Sequence, residues 1–261
     1  MTTKLLSSEQ RKALILERIA SGELVTVADV AETMCVSEMT IRRDFSDLEK
    51  EGHLKRVHGG AVASHGRSYE PPMALREMQA ADAKRSIARV AAECVAEGDS
   101  IALDVGSTCL EVARQLAARR GLTVVTNSVR VITTLMANKD IRLIVSGGVL
   151  RHGEESLVGE LAQQAFQGLF VDKLFLGGGG LDARAGLTEY NWDDALVKKV
   201  MIRSAKQVIL VIDATKFDRI AFAKVADLES IHMVITNKAP TGNLASRLKD
   251  ANVTVMVTGD A

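Results

Sequence analysis

Aromatic side chains make up only 3% of this 261-residue chain, so any core must be filled by Val, Ile, Leu and Ala. Net charge is missing as well, with 33 Lys and Arg against 33 Asp and Glu. A strongly basic chain would point to nucleic acid directly. Here any grip on a polyanion must come from a local arrangement of cations. Cysteine is sparse: Cys35, Cys94 and Cys109 are odd in number, widely spaced and form no CxxC pair. That argues against a disulfide framework or a structural zinc site, and no metal or cofactor is expected. A G-x-G-x-x-G followed by an acidic residue in a strand–helix setting is absent, as is G-x-x-x-x-G-K-[ST], which argues against nicotinamide and nucleoside-triphosphate sites. No apolar run reaches membrane-spanning length and the opening residues carry no secretory core. The expectation is a soluble, cytoplasmic protein with no membrane partner.

What is present is 47% hydrophobic residue content, enough for a real core, on a length that suits a small module joined to a larger domain. Ser7 and Gln10 stand as a capping box before an amphipathic run through Ala20 that Gly22 would close. Thr26 is placed to cap a helix to about Met34, and Cys35-Val36-Ser37 makes a tight turn. Ser37 caps a third helix to about Glu51, and His53 to Ala63 reads as a hairpin around Gly59-Gly60.

On a helical wheel Ile41, Phe45 and Leu48 share the buried side of that third helix. Met39, Arg43, Ser46, Asp47 and Lys50 lie opposite, with Thr40 and Arg42 on the flanks. Helix, helix, tight turn and capped cationic helix is the order of a helix-turn-helix, whose second helix enters the major groove of double-stranded DNA. Arginine presents a bidentate fork to guanine, and threonine meets a base edge or the thymine methyl. Ser37 and the amides beside it suit a phosphate. Lys55, Arg56 and His58 lie on the hairpin as a basic wing. Each cation alone is more often a solvated surface residue, and Arg42 and Arg43 have Asp44 and Asp47 nearby as partners. The ordered set carries the reading. Residues 1–63 are expected to form this winged helix-turn-helix, residues 64–82, with Pro71-Pro72, a linker, and residues 83–261 a second domain.

In the second domain helical segments alternate with short aliphatic runs at 101–103, 122–125, 141–145, 173–176, 208–212, 233–235 and 253–257. Runs apolar on both faces predict buried parallel strands, hence an α/β domain with a mainly parallel sheet. Small, polar or cationic residues follow five consecutive strands. Asp104, Gly106, Ser107 and Thr108 follow the first, Asn127 and Ser128 the second, and Gly147 and Gly148 the third, with Arg151 and Glu154 just beyond. Gly178 and Gly179 follow the fourth and Lys216 the fifth. Their clustering at strand ends predicts one shared pocket. Arg151 and Lys216 would neutralise a phosphate, while Asp104, Asn127 and Glu154 would meet sugar hydroxyls.

Arg11, Ile15, Ile19, Val36-Ser37-Glu38-Met39-Thr40-Ile41-Arg42-Arg43-Asp44-Phe45, Leu48, Gly52 and Leu54-Lys55-Arg56-Val57-His58-Gly59-Gly60-Ala61 resemble the DeoR family of bacterial repressors. The likeness continues through 104–108, 126–128, 147–148 with Arg151, Val158-Gly159, Leu181-Asp182, 186–188 and 213–217. It implies a winged helix-turn-helix followed by a sugar-phosphate-responsive domain similar to the ribose-5-phosphate isomerase and glucosamine-6-phosphate deaminase folds. It further implies a repressor of carbohydrate-catabolism genes that binds operator DNA as a homo-oligomer, dimer or tetramer, under control of a phosphorylated sugar. The segment 189–194 is bulkier than in many relatives, so the sugar is not carried over. The alternative from another class is a sugar-phosphate isomerase or deaminase-like enzyme with an attached DNA-binding domain, for which Asp104, Glu154, Asp182, Asp194 and His152 are the available proton carriers.

Overall fold

The computed structural model describes residues 6–20, 25–63 and 66–259. The chain forms two compact units that divide between Gln79 and Ala80. The first contains α1 (Ser8–Ala20), β1 (Val25–Thr26), α2 (Val27–Thr33), α3 (Glu38–Lys50), β2 (Leu54–Val57), β3 (Gly60–Ala63) and α4 (Met73–Met78). The capping box at α1 forms as the sequence suggests: Ser7 N–H donates to Gln10 Oε1 at 2.9 Å and Gln10 N–H to Ser7 Oγ at 3.2 Å. Gly22, read as the stop of this helix, lies outside the described residues. Thr26 Oγ1 caps α2 through Asp29 N–H, and Ser37 Oγ caps α3 through Thr40 N–H. Cys35 turns the chain between them with a left-handed φ of 51°. The sheet order is β1-β3-β2, with β2 and β3 antiparallel from Leu54↔Ala63 to Val57↔Gly60.

Ile15, Val30, Ile41, Phe45, Leu48 and Leu54 are sealed in this unit's core, each worth roughly 1.5–3 kcal/mol of burial. The segment read as a linker contains α4, whose Leu75 packs on that core and whose Arg76 pairs with Glu70 at 3.2 Å. Beneath α3 sits one buried carboxylate. Asp44 takes a two-pronged contact from Arg11 of α1, at 2.7 and 3.1 Å, and a further bond from Ser8 Oγ at 3.2 Å. Its place on α3 is inward, so it fastens α1 to α3 rather than shielding the outward arginines.

The second unit runs α5 (Ala81–Glu93), β4 (Ser100–Leu103), α6 (Ser107–Leu116), β5 (Leu122–Thr126), α7 (Val129–Leu135), β6 (Ile141–Val145), β7 (Val149–Arg151), β8 (Ser156–Val158), α8 (Glu160–Gln167), β9 (Val171–Leu176), β10 (Gly180–Asp182), β11 (Gly186–Glu189), α9 (Trp192–Ser204), β12 (Ala205–Val211), β13 (Ala223–Ala226), β14 (Met233–Thr236), α10 (Gly242–Asp250) and β15 (Thr254–Val257). All seven aliphatic runs become strands of one parallel sheet in the order β15-β14-β12-β9-β4-β5-β6. Two aliphatic layers cover its faces, one gathered around Phe166, Leu174 and Met201, the other around Ile87, Leu103 and Phe175. The chain starts in the middle at β4, builds outward through β5 and β6, then returns to β9 on the other side of β4. A crevice opens where the direction reverses, at the carboxyl ends of β4 and β9. Two antiparallel pieces stand off the main sheet: the hairpin β7–β8, and β10-β11-β13.

Removing the Asp44 carboxylate leaves Arg11 half-buried without its partner, a loss of about 3 kcal/mol. Asp44→Ala is therefore expected to speed amide hydrogen exchange in α1 and α3 roughly 100-fold while the second unit's core amides are unchanged. Equal rates in variant and parent would show that the pair holds nothing together.

Candidate functional site

The outward face of α3 carries a 73% exposed Met39 together with Arg42, Arg43 and Lys50, all exposed, with Thr40 and Ser46 half-buried at its margins. Two acids of the same helix are claimed by α1. Asp44 serves Arg11, and Asp47 faces Lys12 at 3.7 Å. Arg42 makes an exposed i,i+4 pair with Glu38 at 2.9 Å, of the kind worth a few tenths of a kcal/mol. No described residue forms an ion pair with Arg43. Of the wing residues Lys55 and His58 are exposed, while Arg56 pairs with Glu49 at 2.9 Å, tying β2 back to α3. Ser37 is exposed but already spends its Oγ on the Thr40 amide and shares a 2.9 Å bond with Thr40 Oγ1.

In the second unit, Asp104 leaves β4 fully buried and spans the crevice, its Oδ2 accepting from Gly177 N–H at 2.9 Å at the end of β9. The same oxygen is bonded by Lys198, a lysine of α9 sealed from solvent. Lys198 also faces Glu189 Oε2 at 3.2 Å and Gly177 O at 3.4 Å. Burial pulls the lysine's proton affinity down, but Asp104 and Glu189 outweigh it and hold the ammonium charged. Burial likewise lifts the Asp104 carboxyl above its ordinary range, against the pull of Lys198. One turn earlier on α9, buried Asp194 takes Arg151 of β7 at 2.5 Å. Burial, opposed by Arg151, raises Asp194 to about 6. The guanidinium read as a phosphate ligand is thus already neutralised by a carboxylate.

The β7–β8 hairpin lies against the end of β5. Leu157 N–H donates to Asn127 O at 2.7 Å and Asn127 Nδ2 to Leu157 O at 3.2 Å. Its turn brings buried Glu154 toward Gly106, where an added Cβ would stand 3.8 Å from Glu154 Oε1. Gly106 has φ 108°, a backbone that favours glycine, and caps α6 with no side-chain bond. The first α6 amides, at the buried Ser107 and Thr108, thus receive no cap from the Gly106 position and suit an anion. Lys216 Nζ donates to Tyr190 Oη at 3.3 Å, and the Tyr190 ring packs against Gly179, just beyond β9.

Several expected residues have packing reasons of their own. A Cβ on Gly178 would meet Leu187 at 2.4 Å, one on Gly179 the Tyr190 ring at 3.0 Å, and one on Gly148 the Val158 carbonyl at 2.5 Å. Gly147 sits in open space. Ser128 caps α7 through Val131 N–H. Among the proton carriers considered, Asp182 accepts the turn amides of Arg184 and Ala185, and His152 is exposed. The sequence reading gives no site role to Lys198, Glu189 or Tyr190. One signal was available, the i,i+4 pair of Asp194 and Lys198 amid Ala195, Val197, Val200 and Met201, which places two charges on an otherwise buried stripe.

Two shielded acceptors at this crevice, Asp104 Oδ1 and Asn127 Oδ1, have no hydrogen-bond partner among the described residues. A buried acceptor without a donor is costly, so the crevice is complementary to a ligand rich in hydroxyl or amino groups.

A family model described as the DeoR-like helix-turn-helix domain matches residues 11–67, and one described as the DeoR C terminal sensor domain matches residues 79–238. The HTH-type transcriptional regulator GlpR of Haloferax volcanii is 35% identical over 95% of this chain and 96% of its own. The glycerol-3-phosphate regulon repressor of Escherichia coli K12 is 30% identical over 94% and 96% respectively. The transcriptional repressor AccR of Agrobacterium fabrum is 33% identical over 88% and 90%. Among solved structures, ribose 5-phosphate isomerase A from Methanocaldococcus jannaschii aligns with 53% of this chain and 55% of its own at a TM-score of 0.41 and 19% identity.

Because its folded carboxyl value is raised, Asp194 lends most stability when protonated. That contribution declines as pH rises from about 4 to about 6, by at most about 3 kcal/mol. Urea unfolding of the parent and Asp194→Asn across pH 4 to 7 is expected to show the difference moving in the variant's favour up to pH 6 and flattening above it. A difference constant over that window would place the proton on another group.

Proposed function

Because the chain belongs to the DeoR family, we propose that it is a DNA-binding repressor of carbohydrate-catabolism genes whose operator affinity is set by a phosphorylated sugar. The observation that carries this reading is the arrangement of α3: Asp44 is held inward by Arg11 of α1, while Arg43 stands outward with no ion-pair partner among the described residues. A guanidinium held on a rigid helix and not neutralised is ready for a guanine edge. Met39, Thr40, Arg42 and Ser46 flank it as further groove contacts, and Ser37, Lys50, Lys55, Arg56 and His58 serve the backbone. The chain's near balance of charge makes a single reader weak, which supports a homo-oligomer on paired half-sites.

The effector's phosphate rests on the α6 amides, Ser107, Thr108 and Lys216. Its hydroxyls donate to Asp104, Asn127, Glu154 and Asp194. Arg151 acts on the ligand through Asp194, by fixing where that carboxylate points. Occupancy alters operator affinity, and operator DNA alters effector affinity by the same factor.

Operator fragments selected from a random duplex pool supply the first test. Arg43→Ala is expected to weaken the best fragment ten- to hundredfold with the second unit's melting unchanged; undiminished affinity would remove Arg43 from the interface.

A thermal-shift panel of sugar phosphates on the full chain supplies the second test. Lys216→Ala is expected to lower effector affinity about tenfold while leaving operator affinity intact. Turnover of any sugar phosphate in that panel would instead favour an isomerase or deaminase carrying a DNA-reading appendage.

A further inference from the structure

A second cavity, of about 500 Å³, lies on the same carboxyl edge of the sheet but at its other end, between α5 and the ends of β14 and β15. Arg85 and Arg89 of α5 line it, one turn apart and so on the same side of the helix. Opposite them are the side chains of Gln115, Asn237 and Thr258. Asn237 has already given its Oδ1 to the Ala214 amide, which leaves its NH2 group as a donor. Thr258 is only 4% exposed, and its Oγ1 has no hydrogen-bond partner among the described residues. The same is true of Ser86 Oγ, also on the lining. Asp82 and Ala83 contribute the first turn of α5, a 13-residue helix whose Ala80 cap makes no side-chain bond, so the opening amides get no cap from it.

The geometry points to a second effector site, for a small diphosphate or bis-phosphorylated metabolite, separate from the sugar-phosphate crevice. Nearly every group on the lining donates. Two guanidiniums a turn apart match two phosphoryl groups, and the hydroxyls and amides supply neutral donors between them. The one carboxylate on the lining, Asp82, is 97% exposed in its side chain and pairs with Arg85. Arg89 pairs with Glu93 at 3.3 Å, both more than half exposed. Such solvated pairs hold weakly and open at little cost for a multivalent anion. The site also has a place in the chain that gives it leverage. Its helix begins one residue after the division between the two units, at Ala80, whose φ of 49° is a strained left-handed backbone for a residue with a side chain. An anion that caps α5 stiffens the segment joining reader to sensor.

Titration calorimetry of the full chain with inorganic pyrophosphate tests this. The parent is expected to bind, Arg85→Ala/Arg89→Ala to bind at least tenfold more weakly, and Thr258→Val three- to tenfold more weakly. Lys216→Ala, in the other crevice, is expected to bind pyrophosphate as the parent does. No heat from the parent at millimolar pyrophosphate would overturn the proposal. So would binding that survives the double arginine variant, or that is lost in Lys216→Ala. These arms leave the sugar-phosphate crevice and the reader intact in the arginine and threonine variants, so failure here does not bear on the repressor reading.

Discussion

A lysine shut away from water organises the second unit. Lys198 costs a large desolvation penalty that only Asp104 and Glu189, both close by, make tolerable. These three groups come from β4's end, β11 and α9, so satisfying one charge fixes three elements around the reversal point of the sheet. Asp104 then holds Gly177 across the crevice with the same oxygen. Asp104 is only partly used by these contacts: its Oδ1 is shielded from water and has no hydrogen-bond partner among the described residues.

The reader unit solves a related problem with one ion pair. Five acids lie on or next to α3, and an acid on its outer face competes for the outward arginines, as Glu38 does for Arg42. Placing Asp44 inward, against the two-pronged Arg11, turns a potential competitor into a clamp between α1 and α3. Asp47 is drawn toward Lys12 in the same direction. The cationic face therefore owes part of its charge to packing on the opposite side of the helix.

The second unit uses glycine and charge differently from a simple reading of strand ends. Gly148, Gly178 and Gly179 look like phosphate-loop residues in sequence, yet each is held by a neighbour that leaves no room for a side chain. Arg151 looks like a free cation and is instead the counter-charge of a buried Asp194. Gly106 is the strand-end glycine whose backbone conformation and uncapped helix both favour an anion.

Local chemistry was sufficient to read the architecture. Ser37 and Thr26 cap the helices their types suggest, and every one of the seven aliphatic runs is a parallel strand, because capping and two-sided burial are decided within a few residues of chain. The outward exposure of Arg43 follows from the 3.6-residue period alone. Which charges meet was settled only by folding. Lys198 and Asp104 are 94 residues apart, and Arg151 finds Asp194 past β8, α8, β9, β10 and β11. Periodicity assigns a side chain to a face, but the partner on that face is set by sheet order and crossover, which no local pattern encodes.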